Sequence, residues 1–491
     1  MISFSISSKA ITNGVLIPKY YNGIVQSAMS ALKDSHTSVS IGDLLDRNVI
    51  SVSTGDEVGK MAYGTGSIPF VRTSDIFNWE IKSIPKQGVS QGIHDRYAEK
   101  QDLRAGDILM VKDGSYLIGE CCMVQQMDLP LLIQSHILKF RVNNEQELDP
   151  YLFFLALNSP ITKRQILSMQ FTADIIDTIG TRYKEIVLFL PKKSDERSRL
   201  SAAVKRELEK RTKSRLLIKQ FPKLIEESLV SGTTSNFERF LALTPKEAER
   251  ELVSDTSALE FGDHTAFSIS SDSIKEKIYI PKYYDPSIQE ELNTLKRECD
   301  LVSIRELESN GYISLTTGDE IGKLAYGTGS IPFVRTTDFA NWEIKHNTKQ
   351  KVSESIYRRY AARENVQEND ILLVRDGSYL IGNTCIIAED DSQMLFCGGL
   401  IKIRANENKI NSYLLFGLLN SYIVKKQIRS KQFTRDVIDT LGNRVQEIIL
   451  PIPKHYSVRD RVSSEVEKAV KLRVESRSII KRLSEEICSL D

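Results

Sequence analysis

The chain is poor in the residues that usually carry chemistry. Its six cysteines (121, 122, 299, 385, 397 and 488) show no C-x-x-C spacing. That excludes a Cys-based zinc site or a disulfide framework, and reads as the reduced thiols of a cytoplasmic protein. The six histidines do not recur between the two halves described below: His94 faces Tyr357, and His136 faces Gly399. A histidine-based catalytic site is therefore not expected. No run of 18 apolar residues exists, and the opening MISFSISSKAITNG has no signal-peptide core, so neither a membrane span nor a secretory leader is expected. G-x-S-x-G and H-E-x-x-H are missing, as is the N/D-P-P-Y/F element of amino-methylating DNA methyltransferases. The short GTGS at Gly64–Ser67 precedes a proline-containing strand and is no phosphate loop. The expectation is no cofactor, no metal and no catalytic residue.

Net charge is equally uninformative at +1, but its distribution is not. Lys192–Lys219 holds eleven Lys/Arg against four Asp/Glu, Lys454–Arg482 nine against four, and Phe221–His264 four against nine. Two basic stretches are thus masked by an acidic linker.

What the chain does have is itself, twice. Gly55–Lys82 reads GDEVGKMAYGTGSIPFVRTSDIFNWEIK and returns 263 residues later as Gly318–Lys345, with 23 of 28 positions identical. The register extends from Phe4-Ser-Ile-Ser-Ser (Phe267 onward) and Ile17-Pro-Lys-Tyr-Tyr21 (Ile280 onward) through Asp113–Gly119 (Asp376–Gly382). It continues to Gln170-Phe-Thr172 and Ile176-Asp-Thr178, which match Gln432–Thr434 and Ile438–Thr440. So long a period is a duplicated domain and not a solenoid repeat. Duplication gives one chain the pseudo-two-fold needed to meet a two-fold object such as a DNA duplex.

Each half follows one order. In the first, strands are expected at Ile68–Arg72, Asp107–Lys112, Leu117–Val124 and Ile137–Val142, a buried helix at Pro150–Asn158 and a second helix to Ser168. A strand Glu185–Leu190 ends at Pro191, and a long helix runs from Ser194 to about Leu229. Ser194 is expected to cap that helix, with Asp195 and Glu196 at its positive end. Ser457 and Asp460 mark the analogous start at Val458. Pro222 is expected to break or bend the first helix. Leu200, Val204, Leu208, Ile218, Phe221 and Ile225 form a stripe with a polar gap between 208 and 218, matched by Val462, Val466, Val470, Ile480, Leu483 and Ile487. Two such narrow stripes point to an antiparallel pairing of the helices, against the alternative that each packs on its own domain.

One chemical reading is available from the repeat. Asp75, Glu80 and Lys82 return as Asp338, Glu343 and Lys345, a D-x4-E-x-K pattern in which two carboxylates could hold Mg²⁺ for a duplicated DNA nuclease. The competing reading is a turn, with Asp75 and Asn78 as turn formers and Trp79 as an aromatic anchor. A further alternative is a scaffold that binds proteins through its helices and no DNA.

The ordered set Ile68-Pro-Phe-Val-Arg-Thr-Ser-Asp75, Gly106-Asp-Ile-Leu, Asp113-Gly-Ser…Ile-Gly119 and a Pro-ended strand before a long helix, present twice, resembles a known family. It is similar to the specificity (S) subunits of Type I restriction–modification systems. The resemblance implies an α+β fold: two pseudo-symmetric mixed α/β target recognition domains, each followed by a long helix, the helices pairing as an antiparallel coiled coil. The expected boundaries are 1–193 for the first recognition domain, 194–230 for the first helix and 231–263 for an acidic linker. The second domain would take 264–455 and the second helix 456–491. The resemblance further implies double-stranded DNA, DNA methyltransferase (modification) subunits and restriction subunits as partners, with catalysis left to those partners. Two departures stand out: KKSDERSRL follows Pro191 and KHYSVRDRV follows Pro453, where the family carries an E-Q pair, and the two domains are closer relatives than paired recognition domains usually are.

DNA contact chemistry selects paired polar candidates: Arg72/Arg335, Thr73/Thr336, Asn78/Asn341, Lys112/Arg375, Ser115/Ser378, Tyr116/Tyr379, Gln170/Gln432 and Thr172/Thr434. Helix pairing is assigned to Leu200, Val204, Leu208, Ile218, Val462, Val466, Val470 and Ile480. Differences between the copies, at Lys86-Gln-Gly88/Lys349-Gln-Lys351, Gln91–Asp95/Glu354–Arg358 and Ser168-Met169/Ser430-Lys431, are expected to mark where two otherwise similar half-sites diverge.

Overall fold

A computed structural model describes residues 11, 17–114, 116–173, 176–251, 266–275, 278–377, 379–435 and 438–489. It divides into two compact units, 1–212 with 475–491, and 213–474. Ser115 and Ser378 lie outside the described residues.

In the first unit, antiparallel strands are ordered Ile50–Thr54, Ile137–Val142, Ile108–Val111 and Cys121–Met123. Beside them Ile68–Val71 pairs antiparallel with Gln87–Val89 and parallel with Leu132–Ile133. The helix Pro150–Asn158 starts where expected, because Asp149 accepts from the Tyr151 and Leu152 N–H groups and Pro150 needs no partner. Its sequence is apolar on every side, and Leu152 through Leu157 are all buried in the main core. The strand expected over Leu117–Val124 is shorter. Residues 116–119 turn first, with Gly119 at φ +87°, and a Cβ there would stand 2.9 Å from Ile166 Cδ1.

The second unit repeats this order. Its four-stranded sheet is Ile313–Thr317, Leu400–Ala405, Ile371–Val374 and Thr384–Ile386, flanked by Gln350–Val352, Ile331–Val334 and Leu395–Phe396. In both units a strand just before the long helix closes antiparallel on an early one: Val187–Pro191 on His36–Ser40, and Ile449–Pro453 on Cys299–Ser303.

The long helices span Ser194–Ser231 and Tyr456–Glu486. Their starts differ from expectation. The Arg197 N–H bonds the Lys193 carbonyl, so Ser194 is the first helical residue and not the cap; the Val458 and Arg459 N–H groups bond the His455 carbonyl, which puts Ser457 inside the first turn. Pro222 does not end its helix, which runs on to Ser231. A mid-helix proline costs about 3 kcal/mol. Phe221, Leu224, Ile225 and Leu229 are buried on both sides of it, each worth about 1.5–3 kcal/mol, and that burial carries the helix through. The segment expected as a linker is folded at its start, with helices Ser235–Ala242 and Pro245–Glu251 and Phe237 packed edge-on to Phe221.

Within each unit the two helices run antiparallel. In the first, Leu200, Val204 and Leu208 share one core with Ile480, Leu483 and Ile487, and Arg199 pairs with Glu486. In the second, Arg473 Nη1 lies 3.1 Å from Ser214 Oγ. There Phe221 and Val466 meet over Gly417, where a Cβ would be 3.1 Å from Phe221 Cζ and 3.4 Å from Val466 Cγ2. The stripe serves both of the partners considered for it, because the first-unit core holds the paired helices together with Leu152–Leu157 of the domain. Truncation of Phe221 to Ala is expected to cost about 3–5 kcal/mol in chemical denaturation of the full chain.

The copies also differ in one buried group. Gln101 accepts from the Ile133 N–H at 2.8 Å and donates to Asp56 at 3.1 Å; its counterpart is Glu364, which accepts from the Phe396 N–H at 2.9 Å and has the Asp319 carboxylate as a neighbour. Burial pushes the Glu364 carboxyl up to about 8, so it takes the amide's place as a neutral donor. A raised folded-state pKa gives stability that is full below the unfolded value, about 4.3, and is lost as pH rises through about 8. Denaturation midpoints should therefore fall between pH 5 and 8, and Glu364→Gln should flatten that slope.

Candidate nucleic-acid interface

The repeated block builds a joint between domain and helix. Asp75 caps a single turn, accepting from the N–H groups of Arg72 (2.9 Å) and Lys86 (3.3 Å). A hairpin follows, Ile76–Phe77 against Glu80–Ile81, turned by Asn78 and Trp79 at φ +45° and +67°. Two central residues with positive φ are the signature of a type I′ turn, and asparagine accepts that conformation readily. Tryptophan does not, and its ring explains its presence: Trp79 is buried in the core, with the Arg211 guanidinium 6.0 Å from the ring centre. In the second unit Asn341 and Trp342 repeat the turn at +49° and +69°, and Trp342 stands edge-on to Phe221 and Phe416, at 5.1 Å from each.

Glu80 then meets the helix. Its carboxylate lies 3.4 Å from Arg211 Nη2, and Glu343 lies 2.9 Å from Arg473 Nη2. These four side chains are between 1 and 5% exposed. Arg211 also reaches Ser476 of the second helix at 3.5 Å, as Arg473 reaches Ser214 of the first. The polar gap in the stripe is thus buried and not a solvated face, and Arg215 and Arg477 are buried as well.

The D-x4-E-x-K pattern therefore has other work. Asp75 holds its turn, Glu80 holds Arg211, and Lys82 sits over the Phe77 ring at 5.9 Å. Asp338 likewise accepts from the Arg335 N–H and Nε, both at 3.0 Å, and Lys345 is buried. Among the described residues no group of three or more His, Cys, Asp or Glu could hold a metal ion.

A second cluster gathers most of the polar candidates. Asp113, at the end of strand Ile108–Val111, accepts from the Thr178 hydroxyl, and its other oxygen is 3.0 Å from His136 Nδ1. Lys112 Nζ stands 3.5 Å from the same carboxylate. The Gly114 N–H bonds the Asp177 carbonyl at 2.9 Å, and Thr172 donates to the Asp177 carboxylate at 2.7 Å. Phe171, next to Thr172, carries the Arg182 guanidinium 4.4 Å above its ring. The Gln134 N–H bonds the Val71 carbonyl, which brings Arg72 and Thr73 to the cluster's edge.

The second unit reproduces this brace. Thr440 donates to Asp376, Thr434 donates to Asp439 at 2.6 Å, and Gln432 donates to Asp439 at 2.8 Å. The Thr434 and then the Gln432 hydrogen bonds hold the Asp439 carboxyl below its usual range. Arg375 bonds Asp376, and Thr336 lies against Gly399. Thr73, Lys112 and Thr172 are thus brought together in the first unit, and Thr336, Arg375, Thr434 and Gln432 in the second, while Arg72 and Arg335 are held at the turns by Asp75 and Asp338. Tyr116 is half-buried against the neighbouring core, Tyr379 is half-buried and Gln170 is buried. Asn78 and Asn341 are not in the cluster; they sit buried in the hairpin turn at the joint. The residues that sequence reasoning passed over are Asp113/Asp376, Thr178/Thr440 and Arg211/Arg473. The repeated D-G-S-Y and I-D-T marked the first two pairs, but only the fold shows that they bond each other.

Each unit is thus a mixed α+β domain with a polar cluster, joined by a buried ion pair to two antiparallel helices. The chain is similar along most of its length to three solved structures. The S subunit of a type I restriction–modification system from M. genitalium aligns over 91% of this chain and 96% of its own, at 12% identity and a TM-score of 0.34. The HsdS subunit from Thermoanaerobacter tengcongensis aligns over 92% and 95%, at 15% identity and a TM-score of 0.27. A chain from a structure concerned with complex assembly and conformational transition of the type I R-M system aligns over 92% and 96%, at 14% identity and a TM-score of 0.27. At these scores the likeness assigns no residue its role. No protein-family model and no curated protein matches the chain. Among the described residues, no helix is long and apolar enough to cross a membrane.

Removing one partner of a buried ion pair strands the other charge, so Glu80→Gln is expected to cost about 3–5 kcal/mol in denaturation of the full chain. Replacing both partners, Glu80→Leu with Arg211→Met, should recover most of that loss. A single-variant cost below about 0.5 kcal/mol, the level of an exposed pair, would show the joint to be solvated.

Proposed function

We propose that this chain is the DNA sequence-specificity subunit of a restriction–modification or related phage-defence complex. On this reading residues 1–193 and 264–455 each read one half of a bipartite, near-palindromic duplex target. Helices 194–230 and 456–491 space the two domains and dock DNA methyltransferase subunits, with restriction subunits joining through them. The chain itself performs no catalysis, and its place is the cytoplasm with its partners and the chromosome.

One observation carries this reading: the same polar brace is built twice from the same residue types, Thr172, Asp177, Thr178 and Asp113 in one domain and Thr434, Asp439, Thr440 and Asp376 in the other. Hydroxyls, a carboxamide and basic side chains preorganised at one place match the donors and acceptors of base edges and phosphates. The nuclease alternative is not favoured, since Asp75 and Glu80 are spent on a turn and an arginine. The scaffold alternative leaves the duplicated brace without a purpose.

A mobility-shift titration of the full chain with a random-sequence duplex pool tests the proposal. Binding should weaken about 10³–10⁵-fold between about 50 and 200 mM salt if six to ten phosphates are contacted. Lys112→Ala with Arg375→Ala should reduce both affinity and salt slope. A chain that shifts no duplex at low salt is not a DNA-reading subunit.

A further inference from the structure

The two braces share most of their residues, Ala173 against Arg435 apart, and their hydrogen bonding differs most around one carboxylate. In the first domain, the Asp113 oxygen left over by Thr178 faces the His136 imidazole at 3.0 Å and the Lys112 ammonium at 3.5 Å. Beside them the Ser135 hydroxyl donates to Glu57 at 2.5 Å. In the second domain the imidazole and hydroxyl are gone, because Gly398 and Gly399 replace Ser135 and His136. Arg375 fills the gap: its Nε and Nη2 lie 2.9 and 2.6 Å from the equivalent Asp376 oxygen, and Nη2 also reaches the Gly398 carbonyl at 2.8 Å. The substitutions are coupled, since a Cβ at Gly399 would already stand 3.1 Å from Thr336 Cγ2.

Around this place the residues are the same in both copies: Thr73/Thr336, Gln170/Gln432, Thr172/Thr434, Asp177/Asp439 and Thr178/Thr440. The differences noted in the sequence lie elsewhere, on strand Gln87–Val89, in the first turns of helix Gln91–Gln101 and at the end of helix Pro160–Met169. We propose that Lys112, Ser135 and His136 against Arg375, Gly398 and Gly399 form the specificity switch that makes the two domains read a different base pair at one position of otherwise like half-sites. The inference rests on the DNA-reading function proposed above. With Nε and Nη2 held by Asp376 and the Gly398 carbonyl, Arg375 offers a base-edge acceptor such as guanine O6 or N7 its Nη1 donors from a fixed plane; an imidazole, an ammonium and a hydroxyl spread over three side chains present another pattern.

Selection from a random-sequence duplex pool, comparing the full chain with Lys112→Arg/Ser135→Gly/His136→Gly, tests this. The expected result is that one position of the first half-site takes on the base preferred in the second, making the selected target more symmetric, while the second half-site is unchanged. A purely structural role would weaken all sequences evenly and leave the preference as it was, which overturns the inference. If the triple variant does not fold, the reciprocal Arg375→Lys/Gly399→His decides: a second half-site shifted toward the first supports the switch, and an unshifted one refutes it. A wild-type chain that enriches no sequence fails the DNA-reading proposal itself, an outcome distinct from either.

Discussion

A carboxylate and a guanidinium buried together hold each domain to its helix. Glu80 with Arg211, and Glu343 with Arg473, are almost fully removed from solvent. Taking such charges out of water costs several kcal/mol per ion, recovered only when geometry is good and the remaining donors are satisfied. Apolar residues would hold the same elements together at no such cost. What the ion pair adds is direction, because a guanidinium reaching one carboxylate and one serine admits one register of hairpin against helices. The arginine of one helix meets the serine of the other in both units, Arg211 with Ser476 and Arg473 with Ser214. The joint thus sets helix against helix at the same time as domain against helix.

The polar brace is a second, separate constraint within each domain. Its members come from distant stretches of each domain: the end of a central strand, a turn near residue 135 and a hairpin just before the long helix. Threonine hydroxyls bonded to Asp113 and Asp177 tie the hairpin to the strand end that carries Lys112. A reading surface needs such preorganisation, since ordering loose side chains at the moment of contact would consume the energy that distinguishes one base from another. The repeated brace, changed at Lys112, Ser135 and His136 and at Ala173, then gives two related surfaces from one design.

Much of this architecture was legible in the sequence, for a physical reason. The duplication doubled every signal: strand, capped helix and amphipathic stripe each appeared twice in register. The helix Pro150–Asn158 was read to the residue from its apolar run, and the structure adds Asp149 as the cap before Pro150. The joint was not legible. Arg211 and Arg473 fall inside the two basic stretches, and periodicity cannot tell a buried arginine from an exposed one. Asn78 carried two readings, a turn former beside an anchoring Trp79 and a base-contacting amide; the hairpin has the turn, which burial of the Trp79 ring makes stable at positive φ. Ser194 and Ser457 looked like caps because serine favours that role, whereas the capping positions are Lys193 and His455, one and two residues earlier.

The central claim is that one chain carries two alike reading surfaces for the two halves of one target. Hydroxyl-radical footprinting of the full chain on its selected duplex tests it most directly. The account predicts two separate protected stretches whose sequences are near-copies in inverted orientation. A single continuous footprint, or two stretches of unrelated sequence, would contradict it.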